Sequence, residues 1–92
     1  MVRKRLRLEI VGRVQGVGFR QSTWDVAQRY GITGWVRNTE DRRCVRVEAE
    51  GEDEQLIRFL EWIRHGPPLA RIDHISQQEV PVQRDQDFEI RQ

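Results

Sequence analysis

The stretch Gly12-Arg13-Val14-Gln15-Gly16-Val17-Gly18-Phe19-Arg20 holds the residue types most suited to chemistry in this 92-residue chain. It follows an alternating apolar run and precedes a helix-like pattern, so it reads as a strand-to-helix turn. At a helix start the first backbone N–H groups have no partner, and the helix dipole is positive there, so an anion is favoured. Glycines let the backbone curl until successive N–H groups converge on one point. Arg20 adds fixed planar donors that suit phosphate oxygens. Two common phosphate motifs are excluded. Lys4 is the only lysine, so there is no Walker-type Gly-Lys-Ser/Thr, and a dinucleotide G-x-G-x-x-G would need glycine where Gln21 stands. The single cysteine, Cys44, is far along the chain from the turn. The turn is an anion cradle with an arginine, without a metal-ligand box or a local covalent nucleophile.

The elements that must position this turn are legible from periodicity. Leu6, Leu8 and Ile10 alternate with Arg5, Arg7 and Glu9, as in a half-buried strand. A helix is expected from about Arg20, with Phe19, Thr23, Ala27 and Tyr30 on one stripe and Gly31 as a left-handed C-cap. A second strand is expected at 34–39. The third carries Val45, Val47 and Ala49, ends at Gly51, and pairs back as a hairpin. The clearest helix is expected over 53–65, with Leu56, Ile57, Leu60 and Ile63 inward, acids in its first turn, and Gly66-Pro67-Pro68 after it. A fourth strand over 72–80 and a short terminal strand with Phe88 and Ile90 complete the order. β-α-β-β-α-β with a short extra strand predicts the ferredoxin-like split βαβ sandwich, an α+β fold in which an antiparallel sheet carries two helices on one face. In such a sheet the end of the first strand and the second strand lie close, which brings Asn38 beside the glycine turn.

Composition bounds the class. One domain over residues 1–92 is expected at this length. Hydrophobic residues are 37% and charged residues 34%, polar for a globular chain but not the composition of a disordered one. No apolar run approaches the roughly 20 residues of a membrane helix, and the basic start lacks the apolar core of a signal peptide. A cytoplasmic protein is expected, without a membrane partner. Sixteen Lys+Arg against fifteen Asp+Glu gives a net charge of +1, with no basic excess for nucleic acid. An RNA-recognition module shares the element order but stacks bases on strand aromatics, and strands one and three offer Leu6, Leu8, Ile10, Val45, Val47 and Ala49 instead.

With Gly12–Arg20 goes a second block, Gly31-Ile32-Thr33-Gly34-Trp35-Val36-Arg37-Asn38. Together with Ala27, Val47-Glu48-Ala49-Glu50-Gly51, Gly66-Pro67, Ala70-Arg71-Ile72-Asp73 and Phe88-Glu89-Ile90-Arg91, these blocks closely resemble the acylphosphatase family, in order and over nearly the whole chain. The resemblance implies hydrolysis of acyl phosphates, mixed anhydrides of a carboxylic acid and phosphoric acid. It implies that Arg20 and the backbone amides of Arg13, Val14, Gln15, Gly16, Val17, Gly18 and Phe19 hold the phosphate. Asn38 would hold the attacking water, and a substrate phosphate oxygen would take its proton. No metal, cofactor or covalent intermediate is required, and inorganic phosphate is expected as product and competitive inhibitor of a monomeric enzyme. An amide suits the role given to Asn38, since it orients water without adding charge.

The family pattern is broken at one turn. Acylphosphatases often carry Asp-Gly in the hairpin, whereas Asp41-Arg42-Arg43-Cys44 lacks the glycine and holds one extra residue. A loop longer than two residues is expected there. Similar domains also open the hydrogenase maturation proteins, which continue into zinc-binding domains. Paired cysteines are absent from this sequence and its last residue is Gln92, so a stand-alone enzyme is the expectation.

Overall fold

A computed structural model describes residues 2–92. Strand β1 (Arg3–Arg13) is followed by helix α1 (Phe19–Tyr30), strands β2 (Thr33–Asn38) and β3 (Cys44–Glu52), helix α2 (Asp53–Ile63), and strands β4 (Arg71–Val80) and β5 (Phe88–Arg91). One five-stranded sheet has the order β4-β1-β3-β2-β5. Leu6, Leu8 and Ile10 of β1 and Val45, Val47 and Ala49 of β3 pack on the same core as Phe19, Val26 and Ala27 of α1 and Leu56, Phe59 and Ile63 of α2. Both helices therefore cover one face, in the α+β arrangement the alternation implied. Gly31 ends α1 in the left-handed conformation, φ 67°.

Several local expectations need correction. Ile57 is 57% exposed and Phe59 takes the inward place, because Phe59 sits three residues from Leu56 and four from Ile63 on one helical face. Strand β3 runs past Gly51 to Glu52, and Glu52 with Gln55 forms a capping box that starts α2. The hairpin between β2 and β3, by contrast, is longer than two residues as expected: it spans residues 39–43, with Arg42 in the left-handed region at φ 64° where a glycine would sit without cost.

The sheet is mixed, not antiparallel throughout. β5 runs parallel to β2, with Phe88 opposite Gly34 and Arg91 opposite Arg37. Parallel neighbours need a crossover, and β4 and β5 lie on opposite edges. Residues 81–87 make that crossing over the face that carries no helices. Their anchor is Glu50 of β3, whose side chain has no exposed surface. It accepts hydrogen bonds from the Gln83 and Arg84 amides at 2.8 and 2.9 Å. It also pairs with Arg3 at 2.6 Å and with Arg5 at 3.1 Å. Arg5, equally buried, reaches Glu48 at 2.7 Å and Asp85 of the crossing segment at 3.0 Å.

This face also revises the reason for excluding base stacking. Leu6, Leu8, Ile10 and their β3 counterparts point toward the helices, so they never belonged to the open face. There β1 and β3 present Arg5, Arg7, Glu9, Arg46, Glu48 and Glu50. The aromatic is Trp35 of β2, approached by the guanidinium groups of Arg37 and Arg91 at 5.7 and 5.1 Å.

Burial alone would raise the pKa of Glu50. The two amides and two arginines more than offset it and hold the carboxyl at about 2, against an ordinary 4.5. A depressed folded-state value gives stability that is complete above the unfolded value and is lost as pH falls toward 2. The difference corresponds to about 3 kcal/mol. Denaturant melts between pH 6 and pH 2 should show stability falling mainly below pH 5. Glu50→Gln should be less stable at pH 7, because it leaves Arg5 short of a carboxylate, and its stability should depend less on pH in that range.

Candidate active site

Val14 and Phe19, each about 1% exposed, fix the two ends of the glycine turn in the core. Between them Gly16 and Gly18 take φ of 73° and 77°. A side chain at either would meet nothing within 4 Å. The requirement is thus conformational, not steric, and the backbone follows the kind of curl in which N–H groups converge. Gly18 is the N-cap of α1, without a side-chain cap, and no acid occupies the first turn. The helix start therefore keeps its positive end free of an internal anion.

The turn is tied to the β2–β3 hairpin by one side chain. Gln15 Nε2 donates to the carbonyls of Thr39 and Cys44, both at 2.9 Å. The tie spans the beginning of β3, which lies between β1 and β2 in the sheet. Gly12 N also donates to the Arg43 carbonyl at 2.9 Å. The hairpin is braced in turn. Thr39 Oγ1 lies 2.7 Å from Asp41 and 3.0 Å from the Cys44 carbonyl, and Arg43 N donates to Asp41 at 3.0 Å. The Thr39 hydroxyl and the Arg43 amide hold the Asp41 carboxyl below its usual range.

These ties bring together residues that the sequence separates. Val14, Gly16, Gly18, Phe19, Arg20 and Asn38 line one hollow of about 280 Å³. Asn38 ends β2, opposite Val45, and its side chain makes no hydrogen bond among the described residues. Arg20 donates from Nη1 to the Arg91 carbonyl at 3.2 Å, so one nitrogen is anchored while the rest of the fork stays available. Arg13, Gln15 and Val17 do not line the hollow. Arg13 is the exposed last residue of β1, opposite Arg71, and Val17 packs against the core. Gln21, Ile90 and Gln92 complete the lining. The sequence reading missed these three. A four-residue strand gives no sign that it lies beside β2, although buried Phe88 marks which face of β5 turns inward.

Cys44 is buried, and burial, with the Glu9 charge adding to it, pushes its thiol up. A raised value keeps the thiol protonated and poorly nucleophilic. Among the described residues no three His, Cys, Asp or Glu side chains group as a metal site would require. No described helix is long and apolar enough to cross a membrane.

The sequence pattern of the acylphosphatase family matches residues 6–90. The chain belongs to the acylphosphatase family. It is 49% identical to an acylphosphatase of Pseudomonas paraeruginosa over 83 residues, 90% of each chain. The crystal structure of the acylphosphatase from Bacillus subtilis superposes with a TM-score of 0.92 at 33% identity, covering 97% of this chain and 99% of that one. The HypF of T. kodakarensis contains a similar region, with a TM-score of 0.85 and 34% identity over 97% of this chain but 12% of its own length. The activity of the family, shared by this acylphosphatase chain, is hydrolysis of acyl phosphates.

The Gln15 tie makes a checkable claim about this acylphosphatase site. Gln15→Leu removes both hydrogen bonds of the tie, about 1 kcal/mol each, while the two carbonyls keep their contacts within the hairpin. Its melting temperature should fall by several degrees, and kcat should fall because Asn38 and the turn no longer share a brace. Gln15→Glu, isosteric but unable to donate when ionised, should behave no better than Gln15→Leu in both measurements.

Proposed function

We propose that the protein hydrolyses acyl phosphates without a metal ion, by direct attack of a water held by Asn38 on a phosphoryl group held by Arg20 and the turn amides. The observation that carries this reading is the shared hollow: Arg20, Gly16, Gly18 and Asn38 face one space though they come from three segments. Phosphoryl transfer demands mainly positioning and stabilisation of charge on the equatorial oxygens. The Arg20 fork and the uncapped start of α1 supply positive charge and N–H donors without further help.

The steps balance simply. Water oxygen bonds to phosphorus as the bond from phosphorus to the acyl oxygen breaks. The electron pair leaves with the carboxylate, a good leaving group that needs no protonation. The water proton passes to a phosphoryl oxygen, so no protein base is needed, and the products are a carboxylate and inorganic phosphate. Asn38 offers a carbonyl acceptor and an amide donor to the water, and its neutrality avoids repulsion from the phosphate. Phosphate, carrying the group that the turn recognises, competes with substrate. The reading takes the working enzyme as a monomer.

Purified protein should hydrolyse benzoyl phosphate at the same rate with and without EDTA, and act poorly on simple phosphate monoesters. Loss on chelation with recovery on adding a divalent ion would refute the metal-free reading. Arg20→Ala should weaken phosphate inhibition and remove most turnover, with Arg20→Lys a poor rescue because it lacks the planar fork. Asn38→Ala should lower kcat about a hundredfold, the order of 3 kcal/mol typical of one lost polar contact in such sites, with phosphate inhibition near normal. A folded and fully active Asn38→Ala protein would remove Asn38 from the mechanism.

A further inference from the structure

A second hollow, of about 490 Å³, shares Asn38 and Gln92 with the first but contains none of the turn residues. Its cationic lining is Arg37 and Arg46. Strand register sets Arg37 directly opposite Arg46 on β3, and Arg91 of β5 directly opposite Arg37 on the other side. Three arginines thus stand in one row across β5, β2 and β3. Like charges directly opposite one another destabilise a sheet. The row is only partly compensated within the chain. Arg46 meets Glu9 at 3.1 Å and Arg91 meets Glu89 at 3.1 Å. Arg37 has no carboxylate within 4.0 Å among the described residues, and rests against Trp35. The Nε atoms of Arg37 and Arg46 are buried without an acceptor. Two acids also line the hollow. Asp41 is turned toward Thr39 and the Arg43 amide, and Glu40 is exposed.

We propose that this hollow is a second anion site, which receives inorganic phosphate as it leaves the catalytic hollow. The assignment rests on the in-line reading above. In-line attack inverts the phosphoryl group and draws phosphorus toward the entering water, hence toward Asn38, while the acyl group departs on the opposite side. Of the two products it is phosphate that moves to the wall common to both hollows. Beyond that wall stands Arg37, a planar donor set lacking a carboxylate partner, with Arg46 beside it. The same geometry rules the second hollow out as the place of the acyl group.

The test is a titration of the wild-type protein with inorganic phosphate, followed by backbone amide NMR shifts, against chloride at equal ionic strength. Two sets of shifts with different midpoints are expected, the tighter at residues 14–20 and the weaker around Arg37 and Arg46. In the double variant Arg37→Gln, Arg46→Gln the weaker set should move to at least tenfold higher phosphate while the tighter set stays. Arg20→Ala should do the reverse. The melting temperature should change little, because relief of the two facing charges offsets loss of the partly exposed Arg46–Glu9 pair, so the loss of the weaker set reports binding and not unfolding. If the double variant does not fold, Arg37→Lys replaces it, and should weaken the second set alone. Shifts confined to 14–20, or a weaker set that survives the double variant or vanishes with Arg20→Ala, would overturn the second site. A missing 14–20 set beside an intact weaker one would instead overturn the turn's role and support the second site.

Discussion

The structure hangs on a carboxylate with no exposed surface. Glu50 lies in the middle of the sheet, and its two oxygens are fully engaged by two arginines and two amides. A buried charge so placed is stable only while all its partners stay, so it fixes the path of residues 81–87 over the open face. That path decides which edge β5 reaches and in which direction it runs. β5 then supplies Ile90 to the hollow beside the glycine turn and the Arg91 carbonyl to Arg20. The indole of Trp24 donates to the Phe88 carbonyl at 3.0 Å and fastens the middle of α1 to the same strand. An interaction on the face away from the helices therefore sets one wall of a site at the end of the sheet.

The division of the sheet into two chemically different faces follows from alternation in β1 and β3. On one side Leu8, Ile10, Val45 and Val47 are fully buried under the helices. On the other, acids and arginines meet across the strands. Burial of Arg5 and Glu50 there is not a failure of patterning. Their charges are covered by a polar segment that brings its own amides; these and the arginines satisfy Glu50 in full, while Arg5 is held through Nε and Nη1 and keeps its Nη2 without an acceptor.

Much of this was legible in the sequence, and what was not has a common cause. The Leu6-Leu8-Ile10 alternation gave β1, the 53–65 periodicity gave α2, and the spacing of Gly16, Gly18 and Arg20 located the turn. Each is local, carried by neighbours within a few residues. The adjacency of Asn38 to the turn was inferable from strand order, but the agent that enforces it, Gln15, was not. A glutamine donating to two carbonyls more than twenty residues away leaves no pattern. The parallel docking of β5 escaped for the same reason, since the register of a crossover strand depends on what holds the crossover. Ile57 and Phe59 stand about 200° apart around the helix, so only one of them can face the core; both are hydrophobic, and it is the 3 and 4 spacing of Phe59 from Leu56 and Ile63 that decides.

The contact between Arg20 and Arg91 joins residues 71 positions apart, and the hollow it borders has one wall from each end of the chain. Closing so long a loop costs entropy that the contacts must repay. The core under the helices is built mainly from β1, β3, α1 and α2, whereas the hollow is enclosed only when β5 is in place. The hollow is therefore a property of the finished topology: without the C-terminal strand the glycine turn and Asn38 would lack the wall that Ile90 and Gln92 supply.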